Sequence, residues 1–300
     1  MITRRIESGR AAPTSPLVRN ITDDERAVFD RDGAVRLRAV IPLEWVEFLR
    51  AAVTRLMDRA DSTSQNYTAS GQPRFFSQAY PRFVDDAFDI WALQGPTRQI
   101  AEQMDPDNTS LRFFYDQVFV QEPGASKGAP FHQDHAYLPI DGTLHFRIWV
   151  PLDVVTPDSG AVRYLKGSHR GPIYRPTSFS GDRYVSEVYE TSPYPILPDH
   201  LPDDPCAWLI GEAEPGDALL HHPRTVHGSP PNTSSHNRRA VTSIFIGDDV
   251  VWDPRPGTSF DHIGRIGDFD PPRMVAGELV ADDLFPVVWT REAGLYPPPN

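Results

Sequence analysis

Leu144-His145-Phe146-Arg147-Ile148-Trp149-Val150-Pro151-Leu152, residues 144–152, is the stretch that decides the fold. Side chains alternate across a strand, so His145, Arg147 and Trp149 share one face while Phe146, Ile148 and Val150 share the other. The second face suits a packed core. The first, with an imidazole, a guanidinium and an indole in a row, suits a cavity wall. Pro157-Asp158-Ser159-Gly160 then marks a turn, Ala161–Leu165 a second short strand, and Gly167-Ser168 another turn.

The same grammar continues outward. Leu111–Gln121 upstream, and Trp208–Ile210, Asp217–His221, Val226–Ser229 and Arg239–Ile246 downstream, are short β-like runs separated by Pro, Gly, Ser and Asp. Many turn-bounded strands predict a mainly β architecture, a sandwich or a barrel. Ahead of them, Thr22 is a helix N-cap with Glu25 at the reciprocal position. Pro42–Met57 carries Trp45, Phe48, Leu49, Val53, Leu56 and Met57 at helical spacing, and Asp86–Met104 reads as a helix broken near Gly95-Pro96. Residues 1–20 read as a flexible arm, 21–300 as one domain, and 61–80 as loop. The Pro-, Tyr- and Ser-rich insertion at 171–206, which includes Tyr174, Arg175 and Tyr184, is a candidate lid.

Composition removes several function classes. Against 41 acidic residues stand 29 basic ones, a net charge of −12. That balance opposes nucleic-acid binding, which depends on Lys and Arg neutralising phosphates. No apolar run is long enough to span a bilayer, and no apolar region follows the charged first ten residues, so the expectation is a soluble cytoplasmic protein. One cysteine, Cys206, excludes an intramolecular disulfide and any thiolate-rich metal site. Proline at 31 of 300 disfavours long helices and central strands, and favours shaped loops.

Three features carry chemistry. In Phe131-His132-Gln133-Asp134 an imidazole and a carboxylate two residues apart share a face if the segment is extended, a spacing that suits either a divalent metal or a simple hydrogen-bonded pair. His227, in Thr225-Val226-His227-Gly228-Ser229, lies on a short strand that a rolled sheet can bring beside them. Two His and one carboxylate on one face are the donor set of non-haem Fe(II) oxygenases, which leave positions open. Arg238 and Arg239 open the last strand. Only one of the two can face inward, where a guanidinium can pair bidentately with a ligand carboxylate.

These pieces resemble the phytanoyl-CoA dioxygenase family of Fe(II)/2-oxoglutarate oxygenases. The likeness rests on FHQDHAY, FRIWVPLDVVTPDSGAVRYLKGSHRG and PGDALLHHPRTVHGSPPNTSSHNRRA, and extends back to DRDGAVRLRAVIPLEWVEFLRAAV. It implies a double-stranded β-helix, a cupin-like jelly roll, packed by N-terminal helices. It also implies His132, Asp134 and His227 as ligands of Fe(II), Arg238 as partner of the far carboxylate of 2-oxoglutarate, and Ser229 as a hydroxyl beside it. Trp149 and Gln117 become cosubstrate-pocket residues. Gln121 departs from the Lys that many members carry ahead of a Pro-containing turn. A carboxylate at 134, where related halogenases have a small residue, points to hydroxylation or desaturation with O2.

For the substrate, a small molecule, Tyr115, Tyr137, Arg147 and His145 are the candidate contacts. His221-His222 reads as supporting structure rather than as ligands, and His169 as the support of a turn. Oligomeric state is not legible. Two other readings share these residues: a metal enzyme of cupin type that does not use 2-oxoglutarate, and a catalytically silent binding protein.

Overall fold

The computed structural model describes residues 6–9, 11–59, 64–143, 145–179, 190, 192–255, 258 and 274–295. Four helices precede most of the strands: α1 (Asp23–Asp32), α2 (Leu43–Met57), α3 (Asp86–Gln94) and α4 (Thr97–Met104). The strands are β1 (Ala34–Leu37), β2 (Ser64–Asn66), β3 (Phe75–Ala79), β4 (Ser110–Gln121), β5 (Ile140–Asp141), β6 (His145–Pro151) and β7 (Arg163–Leu165). They continue with β8 (Trp208–Ile210), β9 (Ala218–His221), β10 (His227–Gly228), β11 (Arg238–Ile246), β12 (Val251–Trp252), β13 (Val287–Thr290) and β14 (Gly294–Leu295).

The local signals account for the helices. Thr22 and Glu25 form the reciprocal cap of α1, and Gly33, at φ 75°, ends it in the left-handed conformation that glycine adopts without strain. The apolar stripe of α2 is buried. Gly95 and Pro96 separate α3 from α4, as the sequence predicts.

The large sheet runs β1-β9-β6-β11-β4-β13-β14, with β3 pairing the other end of β4 and β2 pairing β3. A small sheet, β10-β7-β8, supplies the opposing wall. Phe146, Ile148 and Val150 of β6, with Val241 and Phe245 of β11, pack into the core that also takes Trp45, Leu49, Phe88 and Trp91 from the helices. Trp149, Ala240 and Tyr164 belong to a separate cluster on the other face. The sheet thus has a helix-backed side and a cavity side, and the alternation in β6 assigns residues to each.

Three expectations need comment. Residues 61–80 are not all loop: β3 lies within them and is wholly buried, because β4 takes its backbone hydrogen bonds and Tyr67 Oη meets Ser77 Oγ at 3.0 Å. Leu144, the first residue of the quoted strand, lies outside the described residues. The described part of 1–20 is docked on the body: Ile6 N donates to Val84 O at 2.8 Å, Leu17 N to Gln99 Oε1 at 2.8 Å, and Trp45 Nε1 to Ser15 O at 3.0 Å. No helix is long and apolar enough to cross a membrane among the described residues. Cys206 is exposed and unpaired in a disulfide.

Candidate active site

His132 and His227 face each other across an antiparallel bridge, each backbone N–H donating to the other's carbonyl at 2.9 Å. Gln133 is extended, so Asp134, two residues on, returns to the side of His132 before a short turn begins. One ligand atom from each of His132, Asp134 and His227 lies within 4.8 Å of the other two, and all three residues are buried. Asp134 Oδ1 is 3.6 Å from His132 Nε2 and 3.9 Å from His227 Nε2. The two Nδ1 atoms sit 2.8 Å from Pro130 O and 2.9 Å from Thr225 O. Donation to those carbonyls fixes the tautomer that leaves each Nε2 lone pair facing the shared space.

The other carboxylate oxygen is committed. Arg147 and His221 stand directly opposite each other on β6 and β9. His221 Nε2 hydrogen-bonds Asp134 Oδ2 at 3.0 Å, and Arg147 Nε approaches the same oxygen at 2.9 Å as an ion pair. Burial pushes the Asp134 carboxyl up, yet Arg147, His227, His132 and His221 outweigh it and hold the group well below the usual carboxylate range. Burial, with His132 and His221 beside it, drives His227 well below its ordinary value, so its imidazole is neutral. The arrangement is two imidazole nitrogens and one carboxylate oxygen on a single side. That donor set fits a divalent iron with open positions.

Arg238 occupies the inward phase of β11 and Arg239 the outward one. Arg239 forms a two-point pair with Asp153, at 2.9 and 2.6 Å. Arg238 is 2% exposed, donates from Nη1 to Gly160 O at 2.9 Å, lies 5.7 Å over the Trp149 ring, and leaves its buried Nε without a partner among the described residues. Burial lowers it to about 10, so it stays charged at neutral pH. A buried cation with an unused donor fits the carboxylate of a bound anion.

The remaining candidates divide. Gln117 Oε1 accepts from Arg147 Nη1 at 3.4 Å, and Tyr115 lies under the Arg147 guanidinium at 5.6 Å. Ser229 is buried, its Oγ accepting from Ala129 N at 3.3 Å. Tyr137 flanks His132, and its hydroxyl donates to Thr177 O at 2.6 Å and accepts from Thr177 N at 2.8 Å. His145 is not brought to the triad: its Nε2 is 3.4 Å from His135 Nδ1, and its ring packs on His222. Gln121 holds loops, donating to Lys127 O at 3.2 Å. His222 and His169 pack on each other away from the triad. Within the insertion, Tyr174 N donates to Gln133 Oε1 at 2.8 Å and Arg175 N to Pro195 O at 2.9 Å, whereas Tyr184 lies outside the described residues.

Sequence reasoning did not single out three residues that the structure places here. Phe179 packs on His132 at 4.7 Å between ring centroids, Gln133 ties the insertion to the triad segment, and Tyr164 stacks on His227. Only the pairing of strands distant in sequence reveals Tyr164, since a tyrosine in a short apolar run reads as core.

The family model for phytanoyl-CoA dioxygenase matches residues 29–240. The chain belongs to the phytanoyl-CoA dioxygenase family. Its members are Fe(II)/2-oxoglutarate-dependent oxygenases with a jelly-roll fold. The chain is 27% identical over 137 residues to the peroxisomal phytanoyl-CoA dioxygenase of Rattus norvegicus, a match that covers 45% of this chain and only 38% of the rat enzyme. A phytanoyl-CoA dioxygenase domain-containing protein 1 homolog of Dictyostelium discoideum is 31% identical over 280 residues, covering 77% of this chain and 93% of that protein. Among solved structures, the epimerase SnoN, described in complex with Fe3+, alpha ketoglutarate and nogalamycin RO, superposes with a TM-score of 0.68 at 21% identity, over 88% of this chain and 97% of that one.

Proposed function

We propose that this protein is an Fe(II)/2-oxoglutarate-dependent dioxygenase that hydroxylates or desaturates a small organic molecule. The observation that carries the reading is the convergence of the ligand atoms of His132, Asp134 and His227 within 4.8 Å, together with a buried Arg238 over Trp149 that has a donor to spare. The ion and cosubstrate named for the SnoN complex are the chemistry that this donor set suits. When bound, Fe(II) supplies the redox chemistry: O2 is consumed, 2-oxoglutarate loses CO2 to become succinate, and a substrate C–H bond is oxidised.

The chain's own residues do the positioning. His132 and His227 present Nε2, and Asp134 presents Oδ1 while Arg147 and His221 occupy Oδ2, which favours a one-point carboxylate contact. Arg238 meets the far carboxylate of 2-oxoglutarate beside Trp149. Tyr115, Tyr137 and Arg147 line the substrate side. A silent binding protein, or a metal enzyme without 2-oxoglutarate, has no use for this complete set together with Arg238.

The test is 2-oxoglutarate-dependent O2 uptake and succinate release with Fe(II). Both are expected in the native protein, with a loss of about 1,000-fold or more in Asp134→Ala, in line with removal of a group essential to the site. Full activity in Asp134→Ala would overturn the ligand assignment.

A further inference from the structure

Tyr164 is the most unusual buried group that this reading leaves unused. It stands directly opposite His227 in the β10–β7 pairing, so the two side chains leave their sheet on the same face. Its ring stacks on the His227 imidazole at 5.8 Å and 25°, and lies 5.1 Å from that of His221. The residue is wholly buried, and its hydroxyl has no hydrogen-bond partner among the described residues. Four positions earlier on the same segment, Gly160 O takes the hydrogen bond from Arg238. The phenol therefore lies beside His227 and follows, four residues on, the turn that Arg238 reaches. Burial pushes its pKa well above the ordinary phenol range, with Asp134 adding to the effect and Arg238 and Arg147 opposing it, so it remains a neutral donor in range of all three charges.

Two buried donors, Tyr164 Oη and Arg238 Nε, are thus unpaired among the described residues, on side chains that both adjoin Trp149, Tyr164 in its cluster and Arg238 over its ring. Burying a hydroxyl without a partner costs folding free energy, and a bound acceptor removes that cost. We propose that the Tyr164 hydroxyl donates a hydrogen bond to a carboxylate oxygen of 2-oxoglutarate, acting with Arg238 as a second anchor of the cosubstrate. This rests on the function proposed above.

The test is calorimetric titration of 2-oxoglutarate into anaerobic Fe(II)-loaded protein, native and Tyr164→Phe, with Fe(II) affinity and thermal melting of the metal-free proteins measured alongside. Tyr164→Phe keeps the ring and removes only the donor. Its affinity for 2-oxoglutarate is expected to fall about 10- to 100-fold, the worth of a hydrogen bond to a charged group. Fe(II) affinity is expected to stay within twofold, roughly unmoved because no ligand changes. The metal-free melting temperature should not fall, because an unsatisfied buried hydroxyl is removed; a hydroxyl with a structural partner would give the opposite sign. Undiminished 2-oxoglutarate affinity in Tyr164→Phe, or a drop in melting temperature that accounts for the weaker binding, overturns the proposal. If the native protein itself binds no 2-oxoglutarate, the function proposed above falls with it.

Discussion

At the scale of single residues, adjacent arginines have opposite duties. Arg238 is buried beside Trp149 with an idle donor, whereas Arg239 is satisfied on the outer face by Asp153. Arg238→Met is expected to weaken 2-oxoglutarate binding by roughly 100-fold or more, the loss of charge-assisted bonds, without lowering the melting temperature. Arg239→Met should leave that binding intact and lose about 1 kcal/mol of stability, since its pair is only partly shielded from water. Titration calorimetry with parallel thermal melts checks both, and the reverse assignment of effects would mean that β11 is read in the wrong phase. Histidines show the same dependence on surroundings. Alternation in β6 puts His145 and Arg147 on one face, yet Arg147 meets Asp134 while His145 meets His135. Face was legible from the sequence; position along the strand relative to the triad was not, because the pairing register of β6 with β9 and β11 sets it.

Among elements, the junction between the triad segment and the insertion is the most consequential. Gln133 Nε2 donates to Pro172 O at 3.0 Å and to Arg224 O at 2.7 Å, while Gln133 Oε1 accepts from Tyr174 N. Tyr137 clasps Thr177 through both backbone groups. The residues on either side of Asp134 therefore hold the start of the insertion, and a substrate that moves this segment also disturbs the carboxylate ligand. Tyr137→Phe removes both bonds to Thr177. Limited proteolysis is expected to cut within 171–206 several times faster in this variant, about the effect of losing one or two hydrogen bonds; an unchanged cleavage rate would show that the clasp does not restrain the segment. Proline content and length mark this insertion in the sequence. Its attachment points do not show there, since a glutamine between two metal-binding types of residue looks like a spacer. The strand β3 is hidden for a similar reason: Ser77 and Gln78 interrupt its apolar run, and only pairing with β4 makes it a strand.

For the whole molecule, a row of histidines runs from the half-buried His169 and His222 to the buried His145 and His135. His169, His222, His145 and His135 touch ring to ring, with centroids 5.5, 5.4 and 5.6 Å apart. Burial lowers His145 to about 4 despite Asp141 and Asp249 pulling it up, and burial with His145 and His169 nearby lowers His222 to about 3. An unfolded chain takes up these protons near pH 6.5, while the folded one refuses them. Both groups therefore contribute stability that is complete above about pH 6.5 and drains away toward pH 4, with a slope of at most about 1.4 kcal/mol per pH unit for each. Thermal melting is expected to fall steadily from pH 7 to pH 4.5, and less steeply in His222→Gln. A flat profile would refute the neutral cluster.

The docked beginning of the chain has a practical corollary at this same scale. Anyone shortening the protein at residue 21 to obtain better crystals would uncover the indole of Trp45, cut the tethers on Val84 and Gln99, and so loosen the very scaffold that backs the sheet. What looks like a dispensable proline-rich preface is a girdle, and its removal would alter the enzyme that the trimmed crystals were meant to portray.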